Sequence, residues 1–492
     1  MSKYILSIDQ STQGTKALLF DEKGVLLCRA DIPHRQIIND LGWVEHDPEE
    51  IMRNTLQVVK DVVAKAGIDK SGIVALGISN QRETSVAWDR KTGKPVYNAI
   101  VWQCARGKAI TEKLEARGCA GDIKARTGLQ LSPYFPAAKL AWIMQNVEGV
   151  KERAEKGEIC VGTVDSWLVY NLTNGKRFQT DYSNASRTQL FNITELKWDE
   201  TLLHLFVIPA CCMAQVTDSN GDFGMTDFGG WLDAPIPICG VLGDSHGALF
   251  GQGCLERGMV KTTYGTGSSI MMNIGNTPVF SDLGVVTSLA WSMNGKAEYV
   301  LEGNINYTGA VISWLKDDLK LIANPNETQT LAEQANPQDT TYLVPAFSGL
   351  GAPHWDSNAK ATITGMTRLT GKNEVVRAAL ESIAYQITDV VRAMSQTSGI
   401  DIPELRVDGG PTHNGYLMQF QSDLLNIPVL IPDTDELSGI GAAYMSGLSV
   451  GLYDEKVFSV LRRRQFAPKM ADDMREEKYA GWLEALGRTK SK

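Results

Sequence analysis

The decisive stretch is Ile8-Asp9-Gln10-Ser11-Thr12-Gln13-Gly14-Thr15-Lys16. Tyr4 to Ile8 reads as a buried strand, Asp9 to Gly14 as a polar turn, and Lys16 to Asp21 as the returning strand, closed by Glu22-Lys23-Gly24. Half a chain later the theme returns. Gly258 to Tyr264 reads as a strand, Gly265-Thr266-Gly267-Ser268-Ser269 as a turn, and Ile270 to Asn273 as a strand. Small residues let a backbone approach an anion, and successive N–H groups and hydroxyls donate to phosphate oxygens. Lys16 adds a cation. A carboxylate at Asp9 suits a metal held through water, because it repels phosphate. Each tip alone also reads as an ordinary turn, but two of them, in opposite lobes, suit a triphosphate clamped between.

Working outward, Asp47 is a good N-cap, Pro48 suits the first helical position, and Glu50 can close a capping box. Met52, Leu56, Val59, Val63 and Ala66 then recur at helical spacing until Gly67. Ile73 to Ile78 reads as a strand running into Ser79-Asn80-Gln81-Arg82-Glu83-Thr84, and Ile236 to Leu242 as another. A long, deeply buried helix is expected from about Asn373 to Ser398, and a charged surface helix in the tail from Arg462. Strands alternating with amphipathic helices indicate an α/β fold. The expected division is 1–250 and 251–492, at the glycines between Gly251 and Gly258.

The chain has 492 residues, 48 Lys+Arg against 57 Asp+Glu, and a net charge of −9. That length calls for more than one lobe. The acidic balance argues against broad nucleic-acid binding. The 8 cysteines include no C-x-x-C pair, so free thiols in a reducing cytoplasm are expected. No apolar run is long enough to span a bilayer, and no signal peptide is read at the start.

Three further groups carry possible chemistry. Asp244, in Gly243-Asp244-Ser245-His246-Gly247, follows a strand; it reads either as a base facing a cleft or as a helix N-cap. His246 reads as a structural histidine. Arg82-Glu83 can bind neighbouring hydroxyls or form a surface ion pair. Trp102 and Tyr134 are apolar walls or plain core. Asp408-Gly409-Gly410, followed by Asn414, is a junction where a flat ligand can lie against backbone.

These segments together resemble the FGGY carbohydrate kinases, and within them the glycerol kinases. The matching stretches are IDQSTQGTKALLFD at 8–21, GWVEHDPEEI at 42–51, NQRET at 80–84, GKPVYNAIVWQCAR at 93–106, GTVDSWL at 162–168, TDYSNASRTQLFNI at 180–193, TYGTG at 263–267, VPAFSGLGAPHWD at 344–356 and RVDGG at 406–410. The resemblance implies two lobes of the actin/Hsp70-like (ribonuclease H-like) ATPase fold. It implies transfer of the γ-phosphoryl group of ATP, with Mg²⁺, to a polyol or sugar, most simply glycerol, in a cytoplasmic homo-oligomer. Carried over residue by residue, Asp9 positions Mg²⁺. Thr12, Gln13, Gly14 and Lys16 approach the phosphates from the first lobe, and Thr266 and Gly267 from the second. Gly309, Gly410 and Asn414 line the nucleotide. Asp244 is the base, and Arg82, Glu83, Trp102 and Tyr134 bind the polyol. A chaperone- or filament-type ATPase of the same fold leaves those four residues without a joint purpose.

Three positions depart from the glycerol kinase pattern. Ser245 stands where Gln is usual, Ser269 where Phe is usual, and Ser313 replaces a Gln near the nucleotide. The first two changes leave a larger, more polar acceptor space, which suits a longer polyol or ketose such as erythritol, xylitol, ribulose or xylulose. Gly229 to Pro235 holds no basic residue, so no anionic regulator is expected there.

Overall fold

The computed structural model describes residues 2–491. The first hairpin pairs Tyr4–Gln10 with Gly14–Phe20, leaving Ser11 to Gln13 as the tip. Asp9 lies opposite Lys16 and Gln10 opposite Thr15. Ile5, Leu6, Ile8 and Leu18 to Phe20 are fully buried, as expected of strands covered on both faces. The hairpin sits in a six-stranded sheet ordered Met225–Thr226, Ile236–Gly243, Ile73–Asn80, Tyr4–Gln10, Gly14–Phe20, Leu26–Pro33. The second, third and fourth of these run parallel.

A seven-stranded sheet is ordered Val286–Met293, Lys296–Ile305, Ser268–Gly275, Val260–Tyr264, Leu405–Asp408, Val429–Pro432, Arg463–Phe466. Its Val260–Tyr264 pairs antiparallel with Ser268–Gly275 and parallel with Leu405–Asp408. Tyr4–Gln10 has the same two kinds of neighbour. In both sheets an antiparallel edge strand closes the parallel run: Met225–Thr226 in one, Arg463–Phe466 in the other. The two sheets thus share one strand plan, to which the second adds Val286–Met293 as a further antiparallel strand.

The helix after the first hairpin spans Pro48–Ala66, with Asp47 accepting from Glu49 N and Gly67 closing it at φ 65°. The expected capping box does not form; Glu50 instead accepts from Arg35 N at 3.4 Å. The buried stripe is Ile51, Thr55, Val58, Val59, Val62 and Val63, rotated from the expected one; Thr55 can lie in it because its hydroxyl donates to Ile51 O. The long helix spans Lys372–Ser398, and Gly371 N donates to Glu374 at its start. The tail is not merely a surface helix. Arg463–Phe466 completes the second sheet, and helix Asp472–Thr489 buries Trp482, stacked 5.1 Å from Tyr385, with its indole N–H on Asp389. Deleting an aromatic in such a position costs about 3–5 kcal/mol.

Helix Leu437–Ser449 comes from the second half of the sequence but packs on the first sheet. It crosses helix Asp244–Gly251 where both are glycine: a Cβ on Gly441 would stand 1.9 Å from Gly247 O. Ile5, Leu18, Ala75, Leu249, Leu437, Ile440 and Tyr444 form one apolar cluster between the sheets.

Candidate active site

The parallel strands of the first sheet end level with one another: Asn80 lies opposite both Gln10 and Gly243. Asp9, Arg82-Glu83 and Asp244 therefore emerge at one edge, where α/β proteins gather ligands. Asp244 is the first residue of helix Asp244–Gly251, and the N-cap is Gly243. A Cβ at Gly243 would stand 2.5 Å from Arg82 Cγ, so the glycine lets Arg82 pass. Asp244 Oδ1 accepts from Ser245 N at 2.6 Å and lies 3.2 Å from Arg82 Nε. Its side chain keeps 35 % of its surface exposed. Burial raises its pKa against the opposing pull of Arg82. His246 is buried, 3.5 Å from Ser288 Oγ, and burial beside Arg82 keeps it neutral.

Arg82 and Glu83 are not a surface pair. Both are buried, and so are Arg187 and Glu302 beside them. Arg82 donates both Nη groups to Glu302 at 2.9 Å, and Arg187 Nε donates to Glu83 at 2.7 Å. Trp102 and Tyr134 meet edge to face at 5.6 Å. Trp102 Nε1 donates to Thr12 Oγ1 at 2.8 Å, tying this wall to the hairpin tip. Lys139 is fully buried and holds the wall from behind, donating to Pro133 O at 3.0 Å and to Tyr134 O. Burial pushes its pKa down to about 7.

Asp9 is buried, and its Oδ1 has no hydrogen-bond partner among the described residues. Burial pushes its pKa up to about 6, against the pull of Lys16. Lys16 is not a free cation: its Nζ donates to Glu436 at 2.8 Å and lies 3.9 Å from Asp9. Glu436 also takes Arg29.

In the second tip, Gly265 N donates to Gly267 O at 2.8 Å, and Thr266 O accepts from Thr308 N and Ala310 N. Gly265 and Thr266 are exposed. Gly14, Gly267 and Gly409 owe their identity to packing: an added Cβ would meet Ile32 O at 2.6 Å, Ile305 O at 2.3 Å and Tyr264 O at 2.1 Å. Gly410 does open onto space, with nothing within 4 Å of an added Cβ. It lines a cavity of about 370 Å³ with Gly309, Ser313, Gln329 and Asn414, between apolar walls of Ile312, Leu380, Ile383 and Leu417. The Asn414 amide is already spent on Leu417 N and Thr328 Oγ1. Four residues expected near a nucleotide are thus together in one cavity.

Ser245 is half-buried beside Asp244. Ser269 sits between Thr263 and Asn304, and its Oγ is buried without a partner among the described residues. Sequence reading missed Arg187, Glu302, Lys139 and Glu436. Glu302 had a signal: it is the one acid in the otherwise apolar and neutral run Tyr299 to Ile305, and a buried acid needs a partner.

Two lobes of related strand plan, each with a hairpin tip rich in glycine and hydroxyls, have the architecture of a two-lobed nucleotide-dependent kinase. The N-terminal domain of the FGGY family of carbohydrate kinases matches residues 4–251, and its C-terminal domain matches residues 260–450. The chain belongs to the FGGY family of carbohydrate kinases. It is 50% identical over 486 residues to glycerol kinase 1 of Thermotoga maritima, covering 98% of this chain and 99% of that one. It is 48% identical over 494 residues to the glycerol kinase of Fusobacterium nucleatum, covering 99% of each. Its fold matches a crystal structure of Plasmodium falciparum glycerol kinase with ADP, with a TM-score of 0.95, 38% identity, and coverage of 100% of this chain and 99% of that one.

Proposed function

We propose that this kinase transfers the γ-phosphoryl group of ATP to a terminal hydroxyl of glycerol, giving glycerol 3-phosphate. The observation that carries the reading is Asp244: a partly exposed carboxylate, 3.2 Å from Arg82 Nε, at the sheet edge that also carries Arg82-Glu83. The high identity to glycerol kinases supports glycerol as acceptor. In this reading Arg82 donates to, and Glu83 accepts from, neighbouring hydroxyls, while Trp102 and Tyr134 cover the carbon chain. Asp244 takes the proton of the attacking hydroxyl. The new O–P bond forms as the bond from the γ-phosphorus to the β–γ bridging oxygen breaks, and ADP leaves with that oxygen. The raised pKa of Asp244 suits it to that proton. Gly309, Ser313, Gly410 and Asn414 wall the nucleoside, and the tips at Thr12, Gln13, Gly14, Thr266 and Gly267 face the phosphates. The division into lobes 1–250 and 251–492, a cytoplasmic location and a homo-oligomer belong to the same proposal.

Mg²⁺ fits the residues present. Asp9 offers a buried, unpartnered carboxylate oxygen, the hard donor this ion takes. No cluster of three or more His, Cys, Asp or Glu among the described residues would hold a metal by itself, as suits an ion carried with phosphates and water. When bound, the ion neutralises phosphate charge. Lys16, 3.9 Å from Asp9, limits the repulsion between Asp9 and the phosphates.

One observation favours a longer acceptor: the unpartnered Ser269 Oγ, on the sheet face that carries Glu302. A coupled ADP-release assay across glycerol, dihydroxyacetone, erythritol, xylitol, ribulose and xylulose tests both readings. Glycerol is expected to give the highest kcat/KM; a higher value for a longer acceptor overturns glycerol in favour of the second reading. Asp244→Asn is expected to lose about 10²–10⁴-fold in kcat with ATP binding intact. Near-normal turnover would remove Asp244 as the base.

A further inference from the structure

We propose that Glu302 is a positioning residue of the acceptor subsite, supplied by the second half of the chain to hold Arg82 directly and Glu83 through Arg187. It rests on the reading of Arg82 and Glu83 as acceptor ligands.

Glu302 stands in the strand Lys296–Ile305 with no exposed surface. Its Oε2 takes Arg82 Nη1 at 2.9 Å and lies 2.8 Å from Arg187 Nη1. Its Oε1 takes Arg82 Nη2 at 2.9 Å and Asn304 Nδ2 at 3.2 Å. Arg187 passes the restraint on, donating Nε to Glu83 at 2.7 Å. Charges therefore alternate along the row Asp244, Arg82, Glu302, Arg187, Glu83. Four of the five come from the first half of the chain, and the central one crosses from the second.

A two-pronged contact fixes the plane of a guanidinium as well as its position. With both Nη groups held by Glu302, the Nε edge of Arg82 is left facing Asp244. Remove Glu302 and the carboxylates left beside Arg82 are Asp244 and Glu83. The cation would then close on Asp244, the group that must receive a proton. Arg187, uncompensated, would draw Glu83 away from an acceptor hydroxyl. Stability alone is a poor reason for this acid, because buried ion pairs gain little over apolar packing. Met271 already stands opposite Glu302 on the neighbouring strand.

The test compares Glu302→Gln, Glu302→Asp and Arg187→Lys with wild type. KM for acceptor and for ATP, kcat and Tm are measured with whichever of glycerol, dihydroxyacetone, erythritol and xylitol the wild type uses best. Wild-type turnover tests the proposed function; the split between the two KM values tests Glu302. Glu302→Gln is expected to raise acceptor KM about tenfold or more, the size of one lost charge-assisted hydrogen bond, with ATP KM within about twofold. Glu302→Asp keeps the charge one methylene short and is expected to recover part of the loss. Arg187→Lys loses the fork and is expected to raise acceptor KM by a smaller factor. Acceptor and ATP KM rising together with a fall in Tm would make Glu302 scaffold only, and so would an unchanged acceptor KM in folded protein. If Glu302→Gln does not fold, Arg187→Lys decides by the same criterion. A wild type that phosphorylates none of the four, and neither ribulose nor xylulose, overturns the proposed function, and this inference with it.

Discussion

The two hairpin tips share a scaffold and distribute its polar groups differently. In the first sheet, Asp9 on the hairpin strand lies between Lys16 and Ser79. At the corresponding point of the second sheet, Thr263 lies between Ser269 and Asp408. The carboxylate has moved from the hairpin to its parallel neighbour. Asp408 is met from within: Gln252 Nε2 donates to it at 3.2 Å, and Lys261, bonded to Thr263 Oγ1 at 2.9 Å, opposes the upward push that burial gives its pKa. Asp9 keeps one buried oxygen without a partner, and its cation is shared with Glu436. In a repeated plan, the copy that keeps an unpartnered carboxylate oxygen is the one available to a ligand.

Between the two tips, Asp9→Asn should have the largest effect. We expect kcat to fall about 10²-fold or more, as for loss of a preorganised electrostatic group, with the Tm of the ligand-free protein unchanged or raised. Asp408→Asn should do the reverse, lowering Tm by several degrees while kcat stays within about tenfold. If the two variants behave alike, the contrast between open and closed carboxylates is broken.

A pH titration sharpens it. The folded pKa of Asp9 is raised from 3.8 to about 6, so the folded chain holds this proton more tightly than the unfolded chain. Its contribution to stability is therefore lost as pH rises between those values. The stability advantage of Asp9→Asn over wild type should grow across that window and level off above it, measured by denaturant unfolding without ligand.

Glycine substitutions come next. Gly14→Ala would press a Cβ to 2.6 Å from Ile32 O and should lower Tm, whereas Gly265→Ala meets nothing nearer than 3.3 Å and should be milder. The smallest effect is expected from Thr12→Val, which removes the link to Trp102. It should raise acceptor KM a few-fold, about the worth of one neutral hydrogen bond. An effect on ATP KM instead would assign Thr12 to the phosphates alone.

Much of this was legible in the sequence. The strand ends at Asp9, Arg82 and Asp244 follow from apolar runs that stop at polar residues, and parallel register then brings them to one edge. Gly410 and Asn414 were legible as a junction for a flat ligand, Gly309 and Ser313 came from family resemblance, and the four share one cavity. Sequence order does not show where long side chains reach. Lys16 turns to Glu436, 420 residues away in the chain, and Arg82 to Glu302, 220 away. Nor did charge reveal the tail's role: a helix rich in charge still buries Trp482, Ala485, Leu486 and Thr489 on one face.

Helix Leu437–Ser449 has a consequence for the order of synthesis. It covers a sheet built from residues that emerge far earlier, and Gly77 and Gly240 are bare so that it can lie there: an added Cβ would meet Ala442 O at 2.3 and 2.7 Å. A ribosome that has delivered the whole first sheet has not yet delivered its cover. Until the helix arrives, that apolar face must be shielded by something else or left to find wrong partners. The first half of this kinase is finished by nearly the last of the chain.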